Sequence, residues 1–173
     1  MQLIAVCTGQ ARLFANKTGQ TGIDKRAVPG QVKIGPLGLE GDQVMDRKHH
    51  GGPDQAVYIY TRPDYAYWEG QLGRPLRNGE FGENLVFSGL ESAAVGIGQR
   101  IQVGPVVLEA TMSRIPCGTF SQHMNDPHFA RKFRDARRPG IYARVIEPGE
   151  VQAGDEVRLL GELPAGTPTI LDT

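Results

Sequence analysis

The stretch RIQVGPVVLEAT at residues 100–111 predicts two β-strands joined by a tight turn. β-Branched and other apolar residues stand on both sides of Gly104-Pro105, a pair that is typical of turns. We therefore interpret the stretch as a hairpin, and it indicates a fold that is built from short strands.

The same character recurs along the chain. Glycine and proline occur 23 and 12 times among 173 residues, more often than usual, and they are spread between the apolar stretches. Six further stretches indicate strands: residues 3–9, 27–35, 55–62, 83–89, 141–149 and 155–160. This pattern predicts a mostly β fold with a few short helices, arranged as a closed barrel or a sandwich.

Two segments have helical spacing. In residues 61–73, Pro63 suits a first turn and Gly73 suits a stop, with large apolar side chains three and four positions apart between them. In residues 125–140, Asp126 is the expected N-cap and Phe129 and Phe133 lie four positions apart. Both segments are predicted to be short helices.

Length and composition limit the class of protein. The length suits one domain, which we place at residues 1–162, with a loose C-terminal tail at 163–173. A formal net charge of zero excludes a basic protein that binds nucleic acid polymers with its whole surface, so any anion site must be local. Two cysteines suggest a reducing compartment. With no signal peptide and no apolar run of about 20 residues, we expect a cytoplasmic protein without membrane contact.

Cys117 lies in SRIPCGTF, residues 113–120, between Pro116 and Gly118. It is a reactive thiolate, a metal ligand or a small core residue beside a turn. Arg114, three residues earlier, favours the first two, because a nearby cation stabilises a thiolate. The other cysteine, Cys7, lies within an apolar strand and is interpreted as an inert core residue.

Three other positions suit a site for an anion. Arg47 and His50 belong to a basic run that is followed by Gly51-Gly52-Pro53, where exposed N–H groups and cations together suit a phosphate. A solvated basic loop is the alternative. Asn84, in GEFGENLVFSG, is a candidate to brace a neighbouring loop through its amide, and Arg144 interrupts a mostly apolar strand.

The motifs occur in an order that strongly resembles the MOSC domain proteins, in particular the short stand-alone bacterial type. They are GLEGDQ, HHGGPDQAVYIY, FGENL, SRIPCGTF and RRPGIYARVIEPGEVQAGDEVRLL. MOSC names the C-terminal domain of molybdenum cofactor sulfurases. The resemblance covers roughly residues 1–160, and each motif is weak alone but specific in combination.

The resemblance implies a β-barrel-like fold and a molybdenum–pterin cofactor (molybdopterin). It also implies that the cysteine binds the metal or carries sulfur to it, and that the substrate is a small N-hydroxylated compound. By position, the resemblance identifies Cys117 as the family cysteine and His50, Gly51 and Gly52 as the H-G-G turn. It also identifies Asn84 as the asparagine of the F-G-E-N loop and Arg144 as the arginine of the late strand. Arg47 and Arg114 add positive charge for the cofactor phosphate. The family also carries an association with pyridoxal phosphate.

Four functions remain open at this stage. The chain is an oxidoreductase with Cys117 on molybdenum, a carrier that holds sulfur as a Cys117 persulfide, a cysteine hydrolase that uses His123, or a barrel module that binds a phosphorylated small molecule. The sequence contains no cysteine set for an iron–sulfur cluster and no glycine loop for a nucleotide. A reductase would therefore need a separate electron-donor protein.

Overall fold

The computed structural model describes residues 1–15, 19–45 and 51–173. Within these ranges it has thirteen strands and three α-helices. The strands are β1 Leu3–Thr8, β2 Arg12–Leu13, β3 Gln20–Thr21, β4 Arg26–Ala27, β5 Val32–Gly35, β6 Gly38–Leu39, β7 Val57–Thr61, β8 Leu85–Phe87, β9 Arg100–Val103, β10 Val106–Met112, β11 Ile141–Glu147, β12 Gly149–Val151 and β13 Val157–Leu160. The α-helices are α1 Arg62–Leu72, α2 Gly118–His123 and α3 Phe129–Asp135, and short 3-10 helices lie at Pro53–Gln55, Ser92–Ala94 and Ile170–Asp172.

Eight strands form one sheet in the order β13-β9-β10-β11-β7-β8-β1-β4. The predicted hairpin forms β9 and β10, with Val103 opposite Val106 on either side of the turn. β7 and β8 are parallel and are joined through α1, whereas the other neighbours in this sheet are antiparallel. The prediction of a mostly β fold with short helices is confirmed.

The two faces of the sheet pack against different kinds of core. All five residues of β7 are buried, as its composition predicts. Because side chains alternate along a strand, Val57 and Ile59 enter an aliphatic cluster, whereas Tyr58 and Tyr60 enter an aromatic cluster on the other face. The three helices cover this aromatic cluster, which contains Tyr65, Trp68, Phe81, Phe120, Phe129 and Phe133.

The sheet curls but is not closed by a continuous ladder. An isolated bridge joins Gln2 to Glu156, beside the edge strand β13. The Leu3 N–H donates to the Asp155 carbonyl (2.8 Å), and the Val157 N–H donates to the Met1 carbonyl (2.9 Å). The start of β1 thus meets the far edge of the sheet, so "barrel-like" describes the curvature and the sheet remains open.

α1 has the caps that the sequence predicts, whereas α3 begins at a different residue. α1 begins after Thr61, whose hydroxyl accepts from the Asp64 N–H, and ends at Gly73 in the left-handed conformation. α3 begins later than predicted, with His128 as its N-cap. Asp126 instead accepts a hydrogen bond from the His128 N–H (2.9 Å) and closes a turn just before the helix.

Two parts of the chain differ from the sequence expectation. α2 was not predicted, because Pro116 and Gly118 are turn signals and the helix has only six residues. The expected loose tail is packed: Ile170 is fully buried, and the Thr173 hydroxyl accepts from the Ser113 N–H (3.1 Å). A single buried apolar residue in a polar segment produces no hydrophobic periodicity, so the sequence does not predict that the tail packs.

In the described ranges, no helix combines the length and apolar character needed to cross a bilayer.

Candidate functional site

A cavity of about 1150 Å³ lies on the aromatic side of the sheet, close to α2 and α3. Its walls come from residues 20–25, residues 43–45, the sheet side chains Tyr58, Asn84 and Tyr142, the loop 114–119 and the start of α3. The volume is large enough for a cofactor or a substrate of several rings. The walls are mostly apolar, so the few charged groups that face the cavity decide what it binds.

Arg114 is the first of these charged groups. It follows the end of β10 and is buried, with its guanidinium carbon 4.3 Å from the ring centre of Phe120 and 5.1 Å from that of Tyr58. Its Nη1 donates to the Phe81 carbonyl, and within the described part of the chain its buried Nε has no hydrogen-bond partner. Among the described residues, no carboxylate lies within ion-pair distance of Arg114.

The environment of Arg114 keeps it charged. Burial alone would lower the pKa of its guanidinium, but Tyr58, Tyr142 and Cys117 outweigh that effect, so the pKa lies above its ordinary value. A buried charge without an opposite charge is costly. The cavity therefore contains a cation that an anionic ligand would neutralise.

Cys117 faces the same cavity. It is half-buried in extended conformation directly before α2, and its carbonyl accepts from the N–H groups of Phe120 (3.1 Å) and Ser121 (3.2 Å). These bonds fix the backbone that carries the thiol at the cavity wall. Cys7, by contrast, is fully buried, and burial raises its pKa to about 12. The interpretation of Cys7 as a core residue is confirmed.

Lys25 is a second buried cation at the cavity wall. It forms an ion pair with Asp42, whose other carboxylate oxygen accepts from the Gly9 N–H (2.8 Å). Burial lowers the pKa of Lys25, and Asp42 opposes this effect. Sequence analysis missed Lys25, which belongs to no motif. Asp42 lies within GLEGDQ, but nothing in that motif indicates its partner.

Asn84 connects three segments beside the cavity. Its Oδ1 accepts from the Tyr58 N–H (3.1 Å), and its Nδ2 donates to Asp42 (2.9 Å) and to the Cys7 carbonyl (3.3 Å). These bonds use both ends of the amide and join β7, β1 and the carboxylate that holds Lys25. Asn84 thus braces the loop that contains Asp42.

The other predicted residues lie elsewhere or outside the description. Arg144 stands two positions beyond Tyr142 on β11 and forms ion pairs with Asp54 (3.0 Å) and Glu109 (3.7 Å), away from the cavity wall. Gly51 and Gly52 directly precede Pro53 and Asp54, so this turn and Arg144 are neighbours. Arg47 and His50 lie outside the described residues. The structure brings together Cys117, Arg114 and Asn84.

His123 does not pair with Cys117. It is the last residue of α2, and its Nε2 lies 2.9 Å from the Glu80 carbonyl oxygen. Burial lowers its pKa, and it does not line the cavity. A cysteine hydrolase with His123 as base is therefore not supported.

Within residues 1–15, 19–45 and 51–173, no three His, Cys, Asp or Glu side chains are grouped closely enough to hold a metal ion.

Comparisons with known proteins agree with the fold and the motif order. A family model described as MOSC domain matches residues 46–158. The chain is 35% identical over 147 residues to YflK of Bacillus subtilis (strain 168), covering 85% of this chain and 66% of YflK. It is 31% identical over 163 residues to YiiM of Escherichia coli (strain K12), covering 92% of this chain and 72% of YiiM. The crystal structure of YiiM from Geobacillus stearothermophilus matches with a TM-score of 0.79 at 25% identity, covering 98% of this chain and 80% of that one.

Proposed function

Because the chain belongs to the MOSC domain family, we propose that its cavity binds a molybdenum–pterin cofactor with Cys117 as the protein ligand to the metal. The family is associated with molybdenum cofactor binding. One observation carries the proposal to particular residues: a buried guanidinium, Arg114, lines the same cavity as Cys117 and has no carboxylate partner among the described residues.

The residues present fit such a cofactor. A molybdopterin carries a phosphate, which suits Arg114 and, beside it, the buried Lys25. Its metal is bound by sulfur, and thiolate is a soft ligand of the kind that Cys117 provides. Gln55 also lines the cavity, and its buried Oε1 has no hydrogen-bond partner among the residues that the structure describes, so it is an acceptor for a ring N–H of the pterin.

The proposed activity is reduction of small N-hydroxylated compounds. The bound cofactor supplies the two-electron redox chemistry: the N–O bond breaks, two electrons and two protons are consumed, and an amine and water are released. Arg114 and Lys25 hold the phosphate, and Cys117 fixes the metal. Apolar wall residues such as Met45 and Ile115 limit the access of water to the cavity.

A separate electron-donor protein is part of this proposal. α3 begins at the cavity wall, where Pro127 and Ala130 lie, and continues with the exposed Arg131 and Arg134. Asp135 pairs with both arginines, but with Lys132 the helix still carries more positive than negative charge, and a basic surface next to the cavity suits an acidic donor, since charge complementarity increases the association rate. Arg47, His50 and the Gly51-Gly52 turn remain proposed contacts of the cofactor, whereas Arg144, which is paired with Asp54 and Glu109 away from the cavity wall, is not proposed as one.

Metal analysis of the folded chain tests the proposal. The protein is produced in a host that makes molybdopterin and in a host that lacks pterin synthesis, each with wild-type chain and Cys117→Ser. We expect equimolar molybdenum only in the wild-type chain from the first host. Labile sulfur on Cys117 without metal would support the carrier function instead. Folded wild-type chain with neither molybdenum nor labile sulfur would overturn both functions.

A further inference from the structure

We infer that Glu83 is the positioning residue of the cavity's anion site: its carboxylate holds the turn 79–82, and this turn fixes the Arg114 guanidinium and packs against Lys25. Glu83 itself does not line the cavity. Its effect on ligand binding is therefore indirect and passes through the turn. Only the final step, the binding of a phosphate group, rests on the proposed function.

The carboxylate of Glu83 spans the turn. Glu83 is fully buried, and its Oε1 accepts from the Gly79 N–H (2.5 Å) while its Oε2 accepts from the Phe81 N–H (3.1 Å). The Tyr65 hydroxyl also donates to Oε1. Both oxygens are thus used, and two of the three donors are backbone N–H groups of the turn itself.

The turn 79–82 also contacts both buried cations, Arg114 and Lys25. Its Phe81 carbonyl accepts from Nη1 of Arg114. Gly82 lies so close to Arg114 that an added Cβ would be 3.4 Å from Nη1, and a Cβ on Gly79 would be only 2.5 Å from the Lys25 carbonyl oxygen. Gly79 and Gly82 both have positive φ, and the Gly82 N–H donates to the Gly79 carbonyl (3.0 Å). A shift of this turn therefore moves Arg114 and the backbone of Lys25 together.

Tyr65 provides a matched control. Tyr65→Phe removes the buried hydroxyl, which donates to Oε1 and lies 3.1 Å from the Arg77 carbonyl oxygen, but leaves both carboxylate oxygens on the N–H groups of Gly79 and Phe81. Glu83→Gln keeps the shape but replaces one oxygen with an NH₂ group that faces an N–H donor. Both variants lose a buried hydrogen bond and are expected to lower the Tm. Only Glu83→Gln removes an acceptor from the N–H groups of the turn, whereas in Tyr65→Phe the Arg77 carbonyl keeps its bond from the Glu80 N–H (3.2 Å).

The first measurement follows Arg114 by NMR of its guanidinium N–H groups, assigned by their loss in Arg114→Lys. A guanidinium held by the Phe81 carbonyl rotates slowly and gives resolved Nη–H signals. We expect these signals to persist in Tyr65→Phe and to broaden or shift in Glu83→Gln. If Glu83→Gln does not fold, Glu83→Asp, with both oxygens on a shorter arm, is measured. Signals that change equally in Tyr65→Phe and the Glu83 variant, or in neither, would overturn the inference.

The second measurement is the affinity of the folded chains for inorganic phosphate, by titration calorimetry. We expect the Kd of Glu83→Gln to rise about tenfold, because a charge-assisted hydrogen bond is misplaced, with little change in Tyr65→Phe. Equal affinities in the wild-type chain and Glu83→Gln would contradict the positioning role. Absence of phosphate binding by the wild-type chain would overturn the proposed anion site, and the guanidinium signals would then decide the role of Glu83.

Discussion

The guanidinium carbon of Arg114 lies 4.3 Å from the ring centre of Phe120, and the two residues stand three positions before and three positions after Cys117. This cation–π contact closes the loop that carries the thiol. Phe120 is held in turn by Phe81, Phe129 and Phe133, at ring-centre distances of 5.8, 5.1 and 4.9 Å. The aromatic cluster under the helices therefore sets where Cys117 faces the cavity.

Cys117→Ser is expected to abolish molybdenum binding and activity while changing the free energy of unfolding by no more than about 1–2 kcal/mol. The reason is that Cys117 is half-buried at a cavity wall, where a hydroxyl of similar size leaves no void. Elemental analysis per folded chain and chemical denaturation give the two values.

Cys7→Ser is the matched control for that substitution. Cys7 is fully buried between strands, so a hydroxyl there should lower the free energy of unfolding by about 1–3 kcal/mol. Metal content per folded chain should stay at the wild-type value. The reverse pattern, with intact metal content in Cys117→Ser, would show that Cys117 is a structural residue.

Arg114→Met is expected to raise the Kd for inorganic phosphate at least about tenfold, since it removes a charged donor. Its free energy of unfolding should change by less than about 2 kcal/mol, because the lost contacts to Phe81 and Phe120 are offset by the loss of a buried charge. Arg158→Met is the control, as Arg158 is exposed and paired with Glu156 away from the cavity. Equal phosphate affinities of the two variants would contradict the role of Arg114.

His123 should make stability depend on pH. Burial, the largest influence, lowers its pKa below the ordinary value, although the Glu80 carbonyl and Asp24 act in the other direction. The unfolded chain therefore takes up a proton at this residue before the folded chain does. As the pH falls below about 6.5, wild-type stability should decrease more steeply than that of His123→Gln.

Denaturation curves over this pH range check the His123 prediction. Gln can still donate an N–H to the Glu80 carbonyl, so the substitution removes the titration and keeps the bond. His128→Gln, at an exposed position before α3, is the control. Parallel curves for the wild-type chain and His123→Gln would contradict the prediction.

Gly22→Ala should destabilise the protein by about 2–3 kcal/mol, because an added Cβ would lie 1.9 Å from the Gln43 carbonyl oxygen and force two cavity walls apart. Gly70→Ala is the opposite case. Gly70 lies inside α1, and outside the helix backbone no heavy atom of the described residues is within 4 Å of an added Cβ, so alanine should stabilise by about 0.5–1 kcal/mol. Thermal and urea denaturation compare the two variants, and equal effects would contradict the packing argument.

The double variant Arg131→Glu, Arg134→Glu should slow turnover with a separate acidic electron donor. These side chains are 78% and 70% exposed on α3, next to the cavity. The effect should be largest near about 0.02 M ionic strength and shrink near about 0.5 M, where exposed charges are screened. Arg158→Glu, with a 63% exposed side chain elsewhere, is the control. Turnover with NADH alone would refute the donor requirement.

Much of the sheet could be predicted because its signals are local. The β9–β10 hairpin, the fully buried β7 and the caps of α1 each depend on residues close together in sequence. The packed tail could not be predicted, since it is held by one apolar residue, Ile170, and by bonds to distant segments. α3 begins later than the sequence predicts, because the expected N-cap, Asp126, accepts a hydrogen bond within a turn before the helix.

The candidate site shows the same division. Cys117 and Arg114 stand out in sequence because they share one short loop, and Asn84 because of its motif. Lys25 and Asp42 form a buried pair across 17 positions, and no local pattern indicates that the two residues meet. Glu83 belongs to the motif GEFGENLVFSG, but its role depends on Phe81 and Arg114 meeting across 33 positions. Such roles follow from tertiary contacts alone.

The contact between the two ends of the sheet has a consequence for synthesis on the ribosome. β1 can pair with β4 soon after both are made, but its other ladder partner, β8, is about 80 residues away, and its first residues bond to residues 154–157. One side of β1 therefore stays unpaired in a nascent chain until β8 is made, and its first residues stay unpaired until residue 154. Such an edge is open to pairing with other chains. Messages that are truncated or stalled before residue 154 should yield products that depend on chaperones or are degraded, even though most of the sheet has already been made.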